Sequence, residues 1–370
     1  MPKIKVLEFE ITENMGGVES LLCSIDRKID KNKFQIDFIA NHPAKYQKEL
    51  KELGSNIYLL PSVFNYEKYK KRLNNILDRH YDIVHFNKNS LANSLPLYIV
   101  NRHESHPKII LHSHNTAPTR STPGLKSLHK LNKLLVNNIP NYKIACSKEA
   151  EKWMFNKNNK VEIINNGIDI AKFQFSENKR QLIRQKYDIG DDTVLIGNVG
   201  RFNQQKNHVG IVNIFEKINR LNANTKLMLI GEGKEKEKII HLVNEKKLDK
   251  KVIFVGNTSH VDEYLSAMDI FLMPSLYEGL PIAAVEAQTS GLLTFVSDNI
   301  SDEVYLNQAI YPISLNWGYD RIAAFINDKA ITLNDIDRKA QATIVKQKGF
   351  DIKDATNRIE EIYTKLALNS

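Results

Sequence analysis

Ser275-Leu276-Tyr277-Glu278-Gly279-Leu280-Pro281-Ile282-Ala283-Ala284-Val285-Glu286-Ala287 directly follows an apolar run at residues 269–273. The run reads as a buried strand and the stretch after it as a loop entering a helix. Pro281 suits the first helical position and Gly291 a helix stop. A strand feeding a helix through a short loop is one step of a parallel sheet. Glu278 stands in the loop, and the N–H groups of Gly279 and Leu280 lie at the positive end of the helix. Glu286 falls about a turn and a half into an otherwise apolar helix. An unpaired carboxylate is expensive there, so it calls for a ligand hydroxyl or a neighbouring lysine.

The same alternation extends in both directions. Apolar runs at 193–199, 225–230, 251–255 and 292–296 accompany 269–273, with Val261, Tyr264, Leu265 and Met268 at helical spacing between two of them. Earlier runs lie at 3–9, 34–40, 56–60, 82–86, 108–111 and 142–145, and Val18, Leu21, Leu22, Ile25 and Ile29 trace a helix after the first. The pattern weakens over the polar stretch 176–192. The reading is α/β: two doubly wound domains at 1–175 and 190–348, and a last helix within 349–370 that packs back toward the first domain. In such sheets ligands sit beyond the carboxyl ends of the strands, so two facing sheets would hold a ligand in the cleft between them.

The composition fits that reading. The chain has 370 residues, 42% hydrophobic and 26% charged, too long for one ordinary domain and too apolar for extensive disorder. Two cysteines, Cys23 and Cys146, cannot frame disulfides or a cysteine zinc site. No apolar stretch approaches the roughly 20 residues of a membrane span, and acids interrupt the amino-terminal segment where a signal peptide needs an apolar core. A cytoplasmic location is expected. Residues 1–185 hold 30 Lys and Arg against 18 Asp and Glu, whereas 186–370 hold 22 against 25. A basic first half suits an anionic partner such as nucleic acid, a membrane or a phosphorylated substrate, although solubility explains such an excess equally well. Residues 66–79 mix Tyr66 and Tyr69 with Lys68, Lys70, Lys71, Arg72 and Arg79 at helical spacing, which suits a solvated helix first and a membrane-facing one second.

Residues after strands carry the chemistry. Asn14-Met15-Gly16-Gly17-Val18-Glu19 follows the first strand and opens a helix, so backbone N–H groups there approach an anion closely. The dinucleotide fingerprint and the P-loop are absent; the nearest approach, Gly231-Glu232-Gly233, has Lys236 where a third glycine belongs. His112-Ser113-His114-Asn115 ends the fifth strand, where a histidine donates a hydrogen bond or moves a proton. His85 is a weaker third candidate. No carboxylate or cysteine stands beside the pair, so no metal is expected. In Gly200-Arg201-Phe202-Asn203-Gln204-Gln205-Lys206-Asn207, Arg201 and Lys206 bracket a loop that leads into a helix, an arrangement for a diphosphate. Asp335-Ile336-Asp337 looks like a metal-binding Asp-x-Asp, but after Asn334 in a polar helical stretch it reads as a helix start.

Two acids eight apart around Glu-Gly-Leu-Pro resemble the Glu-x7-Glu motif of retaining glycosyltransferases with the GT-B fold, family four (group 1). The segment 200–207 and Gly16-Gly17-Val18-Glu19 look like that family's other signatures, and Asn166-Gly167-Ile168-Asp169 and Ala145-Cys146-Ser147 like its interdomain punctuation. The likeness spans essentially the whole chain and points toward bacterial exopolysaccharide and capsule enzymes. It implies a GT-B fold of two Rossmann-like domains. Glu286 would accept from the ribose hydroxyls of a nucleotide-sugar donor, preferentially a UDP-sugar. Arg201 and Lys206 would neutralise its diphosphate, and Glu278, Gly279 and Leu280 would hold the sugar. His114, with His112 as alternative, would reach the transferring sugar. Gly16 and Gly17 would leave room for diphosphate and acceptor, with Asn166 and Glu232 as weaker contributors. No cofactor or metal is implied. The acceptor would be a sugar or a lipid-linked oligosaccharide, with an anionic membrane surface as a further partner and no nucleic acid. Competing readings are a UDP-sugar 2-epimerase and a basic, non-enzymatic nucleic-acid- or membrane-binding protein.

Overall fold

In the computed structural model, residues 2–13, 16–44, 46–115, 123–331 and 336–368 are described. Contacts divide the chain into two units, Met1–Gly167 with Ile352–Ser370, and Ile168–Asp351. The first unit runs β1 (Ile4–Ile11), α1 (Gly17–Lys28), β2 (Phe34–Ala40), α2 (Gln47–Glu52), β3 (Ile57–Leu59), α3 (Tyr66–Leu77), β4 (Ile83–Lys88), α4 (Leu95–Asn101), β5 (Lys108–Ser113), α5 (Pro123–Val136), β6 (Tyr142–Ala145), α6 (Lys148–Met154) and β7 (Glu162–Ile163). The second runs α7 (Ile170–Phe173), α8 (Glu177–Lys186), β8 (Val194–Val199), α9 (His208–Leu221), β9 (Thr225–Ile230), α10 (Lys236–Glu245), β10 (Val252–Gly256), α11 (Val261–Ala267), β11 (Ile270–Met273), α12 (Ile282–Thr289), β12 (Leu293–Ser297), β13 (Ile310–Ile313), α13 (Tyr319–Ala330) and α14 (Arg338–Gln347). The last helix, α15 (Ile352–Leu368), returns to the first unit.

Both sheets are wholly parallel, ordered β3-β2-β1-β4-β5-β6-β7 and β10-β9-β8-β11-β12-β13. Strand order reverses between β1 and β4 and between β8 and β11, and a crevice opens at such a reversal. The loops after β1, β8 and β11 are the ones singled out above.

Apolar side chains cover each sheet on both faces. In the first unit Leu7, Phe9, Val84 and Phe86 face one layer, and Val6, Ile11, Ile83 and Ile110 the other. The second layer is completed by Ile352, Ala355, Ile359, Ile362 and Tyr363 of α15. The polar stretch 176–192 is no loose linker: Ile168, Ile170, Phe173, Ile183 and Ile189 enter the core of the second unit. Arg184 there is 3% exposed and donates to the carbonyls of Gly190, Thr193 and Ala267. Its guanidinium donates to these carbonyls and pairs with Asp269 at 3.3 Å, so a charged side chain is compatible with burial. Short strands β7 and β13, at the far edges of the sheets, escaped the sequence reading.

Three expectations change in detail. Pro281 is the extended residue before α12 rather than its first helical residue. Tyr69 is 1% exposed, packed with Leu73, Ile76 and Leu77, so it cannot meet a membrane. Asp335, like Asn14 and Met15, lies outside the described residues. Asp337 accepts from the N–H groups of Lys339 and Ala340, the helix-start role expected of it.

Two glycines illustrate opposite constraints. Gly231 has φ +138°, and a Cβ there would lie 2.1 Å from the Gly200 carbonyl oxygen. At Gly17 a Cβ would meet nothing within 4 Å. Gly231→Ala is therefore expected to cost about 2–4 kcal/mol, whereas Gly17→Ala leaves stability within about 0.5 kcal/mol. Denaturant midpoints of the two variants decide it; equal midpoints refute the backbone contact.

Candidate functional site

In the second unit the loop after β8 folds against the loop after β11. Leu276 N–H donates to the Gln205 carbonyl (2.8 Å), Gln205 Nε2 to the Tyr277 carbonyl (3.1 Å) and Asn207 Nδ2 to the Pro274 carbonyl (3.0 Å). Asn207 sits at φ 53° and caps α9 by accepting from Gly210 N–H. Its left-handed backbone suits asparagine and turns the chain sharply into the helix. These contacts bring Lys206 to Glu278, with Nζ 2.7 Å from Oε1. Both are mostly buried, at 17% and 12% side-chain exposure. The lysine stem passes over Gly200, where a Cβ would lie 3.3 Å from Lys206 Cδ. Arg201 on the same loop is exposed.

Gly279 and Leu280 are half-buried and lead into α12, whose amino terminus has no side-chain cap. Its first N–H groups therefore stay available to an anion. Glu286 is half-buried on α12, and no hydrogen bond or ion pair from the described residues reaches its carboxylate. Lys172, the nearest cation acting on it, is 3.7 Å from Asp262 Oδ1 and donates to the Ser259 carbonyl. Burial pushes the Glu286 carboxyl up to about 8, with Lys172 opposing and Asp262 adding to the rise. The lysine salt bridge is thus not made. Glu232 is exposed and paired with Lys236 at 2.6 Å, and its backbone carbonyl accepts from Phe202 N–H of the loop after β8 at 3.0 Å. His208, which the sequence reading passed over, is buried with both ring nitrogens unpartnered and stacks on Phe202 at 4.0 Å. Burial, then Lys206, lowers it to about 4, so it is a neutral ring beneath the loop.

In the first unit Gly16 precedes α1, and its N–H donates to Glu19 Oε2 at 3.1 Å. Glu19 also accepts from the Thr12 backbone and hydroxyl. It is a structural cap. Beside this loop a cavity of about 450 Å³ opens at the carboxyl edge of the sheet, lined in part by Thr12, Glu13, Asn41, His42, Ser62 and Asn93.

His114 is half-buried, and its Nε2 donates to Asn87 Oδ1 at 2.9 Å. Asn87 in turn donates to Glu8 Oε2 (2.7 Å), and the Tyr363 hydroxyl of α15 donates to Glu8 Oε1 (2.6 Å). His85 Nδ1 lies 2.7 Å from that hydroxyl and 3.3 Å from Glu8. Burial raises the Glu8 carboxyl, but the pull of His85 and the hydrogen bonds from His85, Tyr363 and Asn87 outweigh it, and its pKa falls below the ordinary value. Burial and the charge of His85 lower His114 to about 3. A neutral ring that donates through Nε2 accepts at Nδ1, and the side-chain amide of Asn166 lies 3.3 Å from that atom. His112 is 1% exposed between His85 and His114, with Nε2 unpartnered and a pKa well below the ordinary value through burial. His114 is therefore the more accessible of the two. Among the described residues no three His, Cys, Asp or Glu gather as metal ligands. The same reasoning that flagged Glu286 applied to Glu8, an acid inside an apolar strand; its partners Asn87 and Tyr363 leave no sequence signal.

The raised Glu286 carboxyl has a measurable consequence. The unfolded chain ionises near the ordinary 4.5 and the folded one near 8, so this group's contribution falls as pH rises between those values. Glu286→Gln is expected to flatten the profile and to exceed wild type in thermal midpoint near pH 8. Parallel profiles for the two proteins refute an unpaired carboxyl.

With this geometry in hand, comparisons with known proteins are specific. A family profile described as glycosyl transferases group 1 matches residues 179–307, and one described as glycosyltransferase family 4 matches 15–172. EpsF of Bacillus subtilis, named as a glycosyltransferase, is 29% identical over 303 residues, 79% of this chain and 78% of its own. An Escherichia coli UDP-Gal:α-D-GlcNAc-diphosphoundecaprenol α-1,3-galactosyltransferase is 28% identical over 57% of this chain and 55% of its own. The capsular polysaccharide biosynthesis glycosyltransferase CapH of Staphylococcus aureus is 23% identical over 99% of this chain and 100% of its own. Among solved structures, Anabaena HepE in complex with UDP superposes with a TM-score of 0.78 at 15% identity, covering 98% of this chain and 100% of that one. Both units have the parallel α/β architecture of GT-B enzymes. The two profiles, matched in tandem on the two units, make this chain a member of the family four (group 1) glycosyltransferases.

Proposed function

We propose that the protein moves a hexose from a uridine diphosphate sugar to a growing, lipid-diphosphate-linked surface polysaccharide, with retention at the anomeric carbon. The observation that supports this most is the Lys206–Glu278 pair beside the uncapped start of α12. An ion pair holds the lysine in place before a diphosphate arrives, so little reorganisation is needed when it does. Arg201, exposed on the same loop, supplies a fork for phosphate oxygens. The N–H groups ahead of α12 stabilise the charge that develops as the glycosyl–phosphate bond breaks. Glu286, with an unspent carboxyl, accepts from ribose hydroxyls. HepE is a GT-B relative in fold with UDP bound, and the E. coli relative is named for a UDP-sugar donor and a diphosphoundecaprenol acceptor.

In the first unit the cavity beside Gly16 and Gly17 suits an acceptor sugar, and a substrate hydroxyl would replace Asn166 at His114 Nδ1 while Asn87 holds Nε2. Retention by double displacement needs a carboxylate nucleophile. Glu8, the buried acid linked to His114 through Asn87, is 2% exposed and committed to Tyr363 and Asn87. The acceptor hydroxyl therefore attacks from the face the diphosphate leaves, and a phosphate oxygen takes its proton. Two fixed cations replace a divalent ion in this scheme, and activity should survive chelation by EDTA.

UDP at 100 times its dissociation constant adds about 2.7 kcal/mol of stability, so thermal shift across a panel of nucleotides tests the donor class directly. Lys206→Ala and Arg201→Ala are each expected to lower turnover by about 2–3 orders of magnitude with the fold intact. Near-wild-type rates remove that residue from the leaving-group site. Glu286→Gln should weaken UDP binding by about 1.5–3 kcal/mol if the ribose hydroxyls hold its carboxylate ionised. Donor consumed without acceptor would point instead to an epimerase.

A further inference from the structure

Helix α5 is turned inside out. A surface helix ordinarily buries its apolar stripe and exposes its polar one. On α5 three polar side chains, His129, Asn132 and Lys133, face inward. His129 is 1% exposed, stacks on Trp153 at 3.8 Å and accepts from Leu91 N–H at 3.0 Å. Asn132 donates to the Leu91 carbonyl at 2.7 Å, and Lys133 to the carbonyls of Lys152 and Trp153 at 2.6 and 3.1 Å. Leu128, Leu131, Leu134 and Leu135 consequently point outward at 42%, 53%, 69% and 56% exposure. They recur at i, i+3, i+6 and i+7, one stripe along the helix. A half-turn rotation would bury them, and the polar anchors prevent it.

The charge around this stripe has one sign. α5 carries Lys126, Lys130 and Lys133 and no acid, and no Asp or Glu occurs anywhere from residue 105 to 148, a stretch with seven Lys and Arg. Lys126 and Lys130 are exposed. Two copies of this helix packed face to face would bring like charges together, which disfavours a second copy as the occupant. An anionic bilayer accepts both features, leucines among the acyl chains and lysines at the headgroups. α3, the helix expected from sequence to meet a membrane, lacks the feature: Tyr69, Leu73, Ile76 and Leu77 are buried in the ordinary way.

We propose that the outward leucine stripe of α5, with Lys126 and Lys130 on its flank, docks the protein on an anionic lipid bilayer. This deepens the reading of a lipid-linked acceptor by giving the surface on which the protein would meet it, but the argument stands on α5. The test is co-sedimentation of the full chain with vesicles of equal parts phosphatidylglycerol and phosphatidylcholine, and with phosphatidylcholine alone. Wild type should bind the former and not the latter. Leu131→Ser/Leu134→Ser/Leu135→Ser should weaken binding at least about tenfold, and Lys126→Gln/Lys130→Gln should weaken it most at low salt. Lys68→Gln/Lys70→Gln/Lys71→Gln/Arg72→Gln should bind like wild type. Circular dichroism of each variant confirms its fold. Equal binding by the serine variant, equal binding to neutral vesicles, or none by wild type overturns the proposal. So does a wild-type dimer in sedimentation velocity that the serine variant dissolves, which gives the face to a second copy. Vesicle binding without a UDP thermal shift would refute the donor and leave the docking surface standing.

Discussion

A parallel strand covered by helices on both faces has no route to solvent except at its ends. Nearly everything polar in this protein follows from that constraint. Val6, Leu7, Phe9 and Ile11, like Leu195, Ile196 and Val199, are apolar because two layers close over them, and Gly16, Arg201, Glu278 and His114 come just after strands because the chain first leaves the covered sheet there. The reversal of strand order beside β1 and β8 then parts the neighbouring loops and makes room for a ligand. Chemistry gathers at one edge of each sheet because burial excludes it elsewhere.

Within that edge, charges are treated in two ways. Lys206 and Glu278 neutralise each other, and Glu8 is saturated by Tyr363, Asn87 and His85. Glu286 is left without a partner, and its carboxyl takes up a proton near neutral pH rather than stay charged in a poorly solvated place. Folding stability alone does not select an orphan acid on an apolar helix. A residue that breaks the local rule without internal compensation marks a position whose partner comes from outside. The contrast between satisfied Glu8 and unsatisfied Glu286 separates a framework acid from one available to a ligand.

The periodicity of apolar residues revealed most strands and the βα order, since the core spans many residues and each contributes to the pattern. It failed where elements are short, as at β7 and β13, or where burial is achieved by polar means. Arg184 and the residues around 176–192 look like linker because their hydrophobicity is low, yet the guanidinium is spent on backbone carbonyls. Loop candidates such as Lys206 and Glu278 were legible because glycines, prolines and charges cluster after apolar runs. The pair they form was not, since it depends on Gln205 and Asn207 tying one loop to another. The Tyr363–Glu8–Asn87–His114 chain joins residues hundreds of positions apart, a relation no local pattern encodes. The leucines of α5 have the spacing of a core stripe; only the anchoring of His129 and Asn132 shows which face is inward.

The return of α15 to the first unit also orders events during synthesis. Residues 1–167 emerge from the ribosome before residues 168–351, yet one layer of their core lacks Ile352, Ile359, Ile362 and Tyr363 until α15 has emerged as well. Residues 168–351 form a continuous unit that needs nothing further, so the domain made second is the first able to finish folding. Until then the β1–β4 region keeps an apolar layer uncovered and Glu8 without its tyrosine. A nascent chain in that state is a substrate for chaperones. Helix α15 thus acts as a late closure: the earlier-made unit is sealed only after the second unit has been translated.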